Sequence, residues 1–436
     1  MLFYSISCTL VVMKMNKTSS YEENMKQTYG NLFSSAFVQK ARLHLTAFTR
    51  ERDLPLPFLC AIILRGIKQA LQLEIDDFFK DYPEWVTPVS KQAFSKARAN
   101  LNPNAIKDLF LMVTRNMCKV KDLVFHGRYR LCAIDGASVA LYNSPDLKDT
   151  YGTAGGSDKA VSALMSIAFD PLNNIVLDGN LNSSGTNERI CAKEHIENIT
   201  KLPLKFRIKN LFIMDRGYPS REFISWLLAK KHKFIIRVKR GFNLDFDSVN
   251  LDEYVSFVWN NRNYRVRILK IKLVTGEIET LVTNLDKRDL PCDDAGELYF
   301  KRWGIETKFN SLKNKMELEN MSGRRAITVQ QDFWATLYMA NMFASAEWQT
   351  NAIIEERTTG SSNKYEQTTN ENRLISKARE AFLHCLLETD PAKREYLFFR
   401  LFEDIARRPV EVKPNRSSKR STPRKMRFHD TYKSVT

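Results

Sequence analysis

Apolar residues recur at helical spacing from about residue 21 to residue 125, with proline-bearing interruptions at 54–57, 82–88 and 102–103, so this first region is predicted to be helical. Within it, Thr87-Pro88-Val89-Ser90 opens a short helix over residues 90–101, with Phe94, Ala97 and Leu101 on one face and Lys91, Ser95 and Arg98 on another. A small basic helix behind a proline turn suits the reading helix of a helix-turn-helix unit, and it equally suits an ordinary amphipathic surface helix.

At Arg128 the pattern becomes extended. Tyr129-Arg130-Leu131-Cys132-Ala133-Ile134-Asp135-Gly136 is a strand run that ends in an acid and a glycine, and residues 138–142 continue it. Strands at 161–169 and 174–181 flank a hairpin turn, Asp170-Pro171-Leu172-Asn173, and residues 187–202 read as a helix. Leu211-Phe212-Ile213-Met214-Asp215-Arg216-Gly217-Tyr218 then repeats the grammar of apolar strand, acid and glycine. A helix over 219–231, with proline at its first turn, and a strand over 233–239 complete an α/β core. Between 241 and 285, short β runs at 254–258, 264–272 and 279–284 are joined by Asn260-Asn261-Arg262-Asn263 and Thr275-Gly276-Glu277, which predicts a small antiparallel insert.

Helical spacing resumes at Cys292, and residues 292–316 read as one amphipathic helix. Leu298, Ile305, Phe309, Leu312 and Met316 fall within an arc of about 60°, a stripe that docks on a core. Tyr299, Arg302, Glu306 and Lys313 occupy a second narrow arc, and Lys301, Lys308 and Lys315 a solvated flank. An Arg302/Glu306 ion pair on an exposed helix would contribute only about 0.2–0.5 kcal/mol, so on its own this polar arc reads as surface chemistry or as part of a site. A longer apolar helix follows over 326–348, then a polar linker over 355–372, then helices at 373–388 and 393–407.

Charge narrows the partners. The 436-residue chain has room for about three domains, and its 67 Lys and Arg against 50 Asp and Glu leave a net charge of +17. That excess points to a polyanion, and to nucleic acid rather than a membrane because no long apolar span accompanies it. The apolar run from Met1 to Met13 is too short to span a bilayer, and Met13 or Met15 offers an alternative start. The seven cysteines are scattered without a C-x-x-C, so a reducing cytosol is expected. The six histidines form no metal-ligand spacing, so a metal would be held by carboxylates, which favours Mg²⁺ or Mn²⁺.

Asp135, Asp215 and Glu306, in that order, supply what a two-metal phosphoryl-transfer site requires: clustered hard oxygen ligands for two ions about 3.5–4 Å apart. Open α/β sheets place ligands at strand ends, where both aspartates are expected. Taken singly, an aspartate before a glycine reads equally as a turn residue. Asp158, Asp170, Asp178, Glu188 and Glu194 are rival acids, but none follows a comparably apolar strand into a glycine.

Tyr299, Arg302, Glu306 and Lys313 also fit the spacing Y-(2)-R-(3)-E-(6)-K, and on it the chain resembles the insertion-sequence-four family of DDE transposases. Asp215-Arg216-Gly217-Tyr218 is similar to that family's second motif and Ala133-Ile134-Asp135-Gly136 to its first. The resemblance covers about residues 30–425, including an Asn415-Arg416-Ser417 tail. It implies an α/β, RNase H-like catalytic core over 126–241 and 286–350 with an inserted β domain at 242–285. A helical DNA-binding region at 21–125 precedes that core, a helical C-terminal region at 351–408 and a basic tail at 409–436 follow it, and residues 1–20 are an uncertain extension. It further implies that Asp135, Asp215 and Glu306 are catalytic and hold Mg²⁺, with Mn²⁺ as a substitute. Water then nicks a strand at the transposon end, and the freed 3′-hydroxyl joins target DNA, in some relatives through a hairpin. Tyr299, Arg302 and Lys313 would grip phosphates near the cleaved end, and Lys91 and Arg98 would contact DNA from the basic helix. Trp259 would stabilise a flipped base, or simply fill a core. The expected partners are transposon-end and target DNA and a second copy in a synaptic homodimer, in a bacterial-type cytoplasm at the nucleoid. Two other functions share these features: a metal-dependent nuclease that cuts without joining, and a DNA-binding derivative with a defunct site.

Overall fold

The computed structural model describes residues 20–50, 53–82, 89–120, 123–153, 160–272 and 276–413. The expected extension through residue 19, the Thr87-Pro88 turn, the rival acid Asp158 and the tail beyond residue 413 lie outside the described residues. Two compact units divide the chain: among described residues, 118–337 form one, and 20–117 with 338–413 form the other.

The first of these is built on an eight-stranded sheet. Its strands are β1 Tyr129–Ala140, β2 Ser162–Asp170, β3 Ile175–Ser183, β4 Lys209–Met214, β5 Lys233–Val238, β6 Asp252–Trp259, β7 Arg262–Lys272 and β8 Ile278–Thr283, in the order β3-β2-β1-β4-β5-β8-β7-β6. β4 pairs in parallel with β1 and with β5, and every other ladder of this sheet is antiparallel. The middle strands are continuous apolar runs, with Leu131, Cys132, Ala133, Ile134, Phe212 and Ile213 sealed from solvent, as strands covered on both faces must be. On one face, alternate residues Tyr129 and Leu131, Leu211 and Ile213, and Ile235 meet Leu298 and Tyr299 of the helix Cys292–Phe300. On the other, the helix Glu188–Ile199 packs over β1, β2 and β3.

In line with the continuation expected over residues 138–142, β1 runs past Asp135-Gly136 to Ala140 because residues 135–140 remain paired with β2, whereas the ladder to β4 stops at Ile134 and Met214. Three expectations need correction here. The strands of the expected insert are present and antiparallel, turned at Asn260 and Asn261, both with positive φ as a two-residue hairpin requires. They pair through β8 onto β5, however, and so extend the main sheet instead of closing a sheet of their own. The stretch 292–316 is not one helix: Cys292–Phe300 and Trp303–Asn310 are separated by a tightened turn, and Ser311–Lys315 is a π turn. The tightening falls where Gly304 passes Pro171 of the β2–β3 turn so closely that a Cβ there would lie 2.9 Å from the proline Cβ. Even so, Leu298, Ile305, Phe309, Leu312 and Met316 are all buried. Lastly, Lys308 is not on a solvated flank; it is buried over the ring of Phe169, at 5.1 Å from the centroid.

The other unit is helical. The segments expected as separate N-terminal and C-terminal regions close one core, because the apolar stripe of each is covered by the other. Tyr21 meets Phe398 and Phe402 edge-on at 5.9 and 5.8 Å, and the helix Glu371–Leu387 packs on both Ser20–Leu32 and Leu56–Arg65. The long helix runs over Ala326–Thr358, ten residues past its expected end at Trp348, and Ile354 in that extra length is buried. Among the described residues no helix is long and apolar enough to cross a membrane.

Candidate active site where the β1–β4 ladder ends

Asp135 and Asp215 come together because β1 and β4 run in parallel and lose each other at the same level. β4 stops at Met214, so Asp215 opens a short turn in which the Tyr218 amide donates to the Asp215 carbonyl at 3.2 Å. Asp135 is the first residue of β1 past that ladder, and its Oδ1 accepts a hydrogen bond from the Gly136 amide at 2.9 Å. The third carboxylate arrives with a cation. Arg302 Nη2 donates to Glu306 Oε1 at 2.9 Å, and Arg302 Nη1 lies 3.5 Å from Asp135 Oδ2. A single guanidinium thus bridges the first and third acids.

The surroundings are poorly satisfied for a protein interior. Arg302 is 4 % exposed, yet its Nε and Nη1 have no hydrogen-bond partner, and neither have the buried atoms Asp215 Oδ1, Tyr218 Oη and Tyr299 Oη. Buried polar atoms are normally paired, so several orphans around one acid group mark a place built for something besides stability. Burial pushes the Asp135 carboxyl up to about 6, against the Gly136 amide and Arg302, and the charges of Asp215 and Glu188 push the same way as burial. The donor chemistry of Asp135, Asp215 and Glu306 suits a hard divalent ion, and the buried Asp215 Oδ1, which accepts no hydrogen bond, is an acceptor such an ion would use. As the side chains stand, no three His, Cys, Asp or Glu groups among the described residues are within reach of one ion, and Arg302 is the cation that Asp135 and Glu306 meet.

The other expected site residues divide. Lys313 reaches β1, donating to the Ser138 carbonyl and lying 3.4 Å from Glu319, whose carboxylate also accepts from the Ala140 amide at 3.1 Å. Tyr299 lies in the hydrophobic cluster, its ring centroid 5.7 Å from the Arg302 guanidinium carbon, with its hydroxyl buried beside the acids. Arg98 is buried at 4 % exposure while Lys91 is exposed, so the expected basic face of that helix loses its arginine. The cause is the helical period: position 98 follows Phe94 by four residues and shares its inward side. Trp259 ends β6, the outer edge strand five places from β1, about 24 Å across the sheet at the usual strand spacing. The structure therefore does not bring Trp259 to Asp135.

One acid set aside in the sequence does come close. Glu188 opens the helix that follows β3, and a Cβ on Gly136 would lie 3.1 Å from its Oε1, one on Gly217 3.9 Å from its Oε2. The glycines behind each aspartate were the available signal, since a larger side chain at position 136 would collide with this carboxylate.

Residues 126–342 match the family model described as the transposase DDE domain. No curated protein matches the sequence. Among solved structures, the cryo-EM structure of a piggyBac transposase synaptic complex with hairpin DNA is similar at 12 % identity and a TM-score of 0.44, over 93 % of this chain and 88 % of that one.

Proposed function

We propose, because residues 126–342 match the family model of the transposase DDE domain, that the protein is a cut-and-paste transposase of the insertion-sequence-four type. In this reading the strand order β3-β2-β1-β4-β5 is an RNase H-like core, Asp135, Asp215 and Glu306 are its catalytic acids, and two copies act on paired transposon ends. The observation that carries it is the meeting of Asp135 with Asp215 at the end of the β1–β4 ladder and, through Arg302, with Glu306, inside the matched domain.

Asp135, Asp215 and Glu306 would hold Mg²⁺ or Mn²⁺, which when bound lowers the pKa of water and neutralises charge on the phosphate. The protein's own part is positional. The fixed β1–β4 ends set Asp135 and Asp215, and the buried stripe from Leu298 to Met316 fixes the face from which Glu306 projects. Arg302 neutralises Asp135 and Glu306 while DNA is absent, and its two unpaired nitrogens are the donors it offers a phosphate. In the first step a water oxygen bonds to phosphorus and the bond to the 3′ oxygen breaks, leaving a 3′-hydroxyl and a 5′-phosphate. In the second, that hydroxyl attacks a target phosphodiester and displaces its 3′ oxygen.

The test is cleavage and joining of cognate end DNA with Mg²⁺. Asp135→Asn, Asp215→Asn and Glu306→Gln should each lose roughly 10³-fold or more in cleavage rate while retaining end binding. Wild-type cleavage in any one variant removes that residue from the site. Cleavage without joining to a plasmid would make the protein a nuclease, and end binding without either reaction a DNA-binding derivative.

A further inference from the structure

The Glu188 carboxylate stands beside both glycines that follow the catalytic aspartates. By strand alternation Asp135 and Gly136 face opposite sides of β1, so Glu188 approaches from the side of its own helix, and the missing side chain at Gly136 is what admits it. An acid in a first helical turn is ordinarily just a favourable charge at the helix end. Here the helix is tied down so that this particular acid is delivered. Asn187 caps its start through the Arg189 amide at 2.9 Å, and Arg189 Nε donates to the Tyr218 carbonyl at 3.0 Å, which joins the first turn to the Asp215–Tyr218 loop. Two turns on, buried His195 contacts Asp178 at 2.9 Å and Ser166 at 3.0 Å, which pins the helix to β3 and β2. A second observation falls in the same place. Tyr218 is fully buried, its hydroxyl has no hydrogen-bond partner, and it lies within electrostatic reach of Asp135, Glu188 and Asp215.

We propose that Glu188 is a fourth carboxylate of the cation site, its side chain turning from its present position, where no three acids among the described residues reach one ion, to hold a divalent ion with Asp135 and Asp215 from the side of the Glu188–Ile199 helix. This rests on the transposase reading above, and it adds a ligand group on an element that contributes none of the three expected acids. The experiment is Mn²⁺ titration of the full-length, metal-free protein without DNA, followed by loss of the free-ion signal in electron paramagnetic resonance. Glu188→Gln, close to isosteric at a half-exposed position, should weaken Mn²⁺ binding about tenfold or more. Glu188→Asp, which keeps the charge and draws it back by one methylene, should recover part of that loss. Glu194→Gln, on the same helix and bonded to Asn180, should bind as wild type. Wild-type Mn²⁺ affinity in Glu188→Gln, with affinity lost in Asp135→Asn, overturns the proposal and leaves the three-acid site standing. Absence of both Mn²⁺ binding and DNA cleavage in the wild type overturns both readings.

Discussion

Two acid-centred clusters share β1, and they differ in how completely they are satisfied. Asp178, His195 and Ser166 form a chain at 2.9 and 3.0 Å, Asn198 donates to Asp178 at 3.0 Å, and the Ser166 hydroxyl reaches the Asp135 carbonyl at 3.4 Å. Its residue types are those of a nucleophilic triad, but His195 is sealed from solvent and no substrate reaches it. The Asp135, Arg302 and Glu306 cluster has the opposite character: Glu306 is partly exposed, and buried donors and acceptors around it go unpaired. Complete satisfaction identifies a brace, and concentrated dissatisfaction identifies a site.

Cutting the brace should have the larger effect on stability. Asp178→Ala would leave His195 and Asn198 without their buried acceptor, and urea unfolding should show a loss of about 3–5 kcal/mol. A change below about 1 kcal/mol would mean that the chain does not brace the sheet. Asp170 is an intermediate case, a buried acid bonded by Asn173 and the Leu172 amide with its carboxyl pushed up to about 6, chiefly by burial. A raised carboxyl contributes stability that is complete below its unfolded value near 3.8 and is lost as pH rises through 6. Between pH 4 and 7 the stability of Asp170→Asn should therefore gain on wild type by about 3 kcal/mol, and parallel pH profiles would refute it. The smallest effect on stability is expected at the site itself. Arg302→Met removes the bridging cation, should change stability by less than about 1 kcal/mol because the ion pairs it loses are offset by no longer burying a guanidinium whose Nε and Nη1 lack hydrogen-bond partners, and should tighten Mn²⁺ binding severalfold. Weaker Mn²⁺ binding in that variant would show that Arg302 organises the acids instead of competing for them.

Much of the site was legible in the chain. The repeated grammar of apolar strand, acid and glycine placed Asp135 and Asp215 correctly relative to β4, and the buried stripe of Leu298, Ile305, Phe309, Leu312 and Met316 was read correctly residue by residue. The errors have two causes. Local periodicity reports which way a residue faces on an ideal element, so it misjudged Lys308, whose exposure depends on what packs against it, while Arg98 was placed by its charge although its spacing from Phe94 already turned it inward. Periodicity also missed the tightened turn before Gly304, which answers to Pro171, more than a hundred residues earlier in the chain.

The sequence by itself determined most of the strands, the helical regions and the order of the three acids, because apolar period and turn chemistry are local properties. Only the tertiary structure decided that β8 would pair onto β5, that a guanidinium would stand between Asp135 and Glu306, and that Glu188 would reach the two glycines. Those outcomes depend on which elements share a sheet and which helix is pinned across it, and no spacing along the chain encodes a distance between residues brought together by packing.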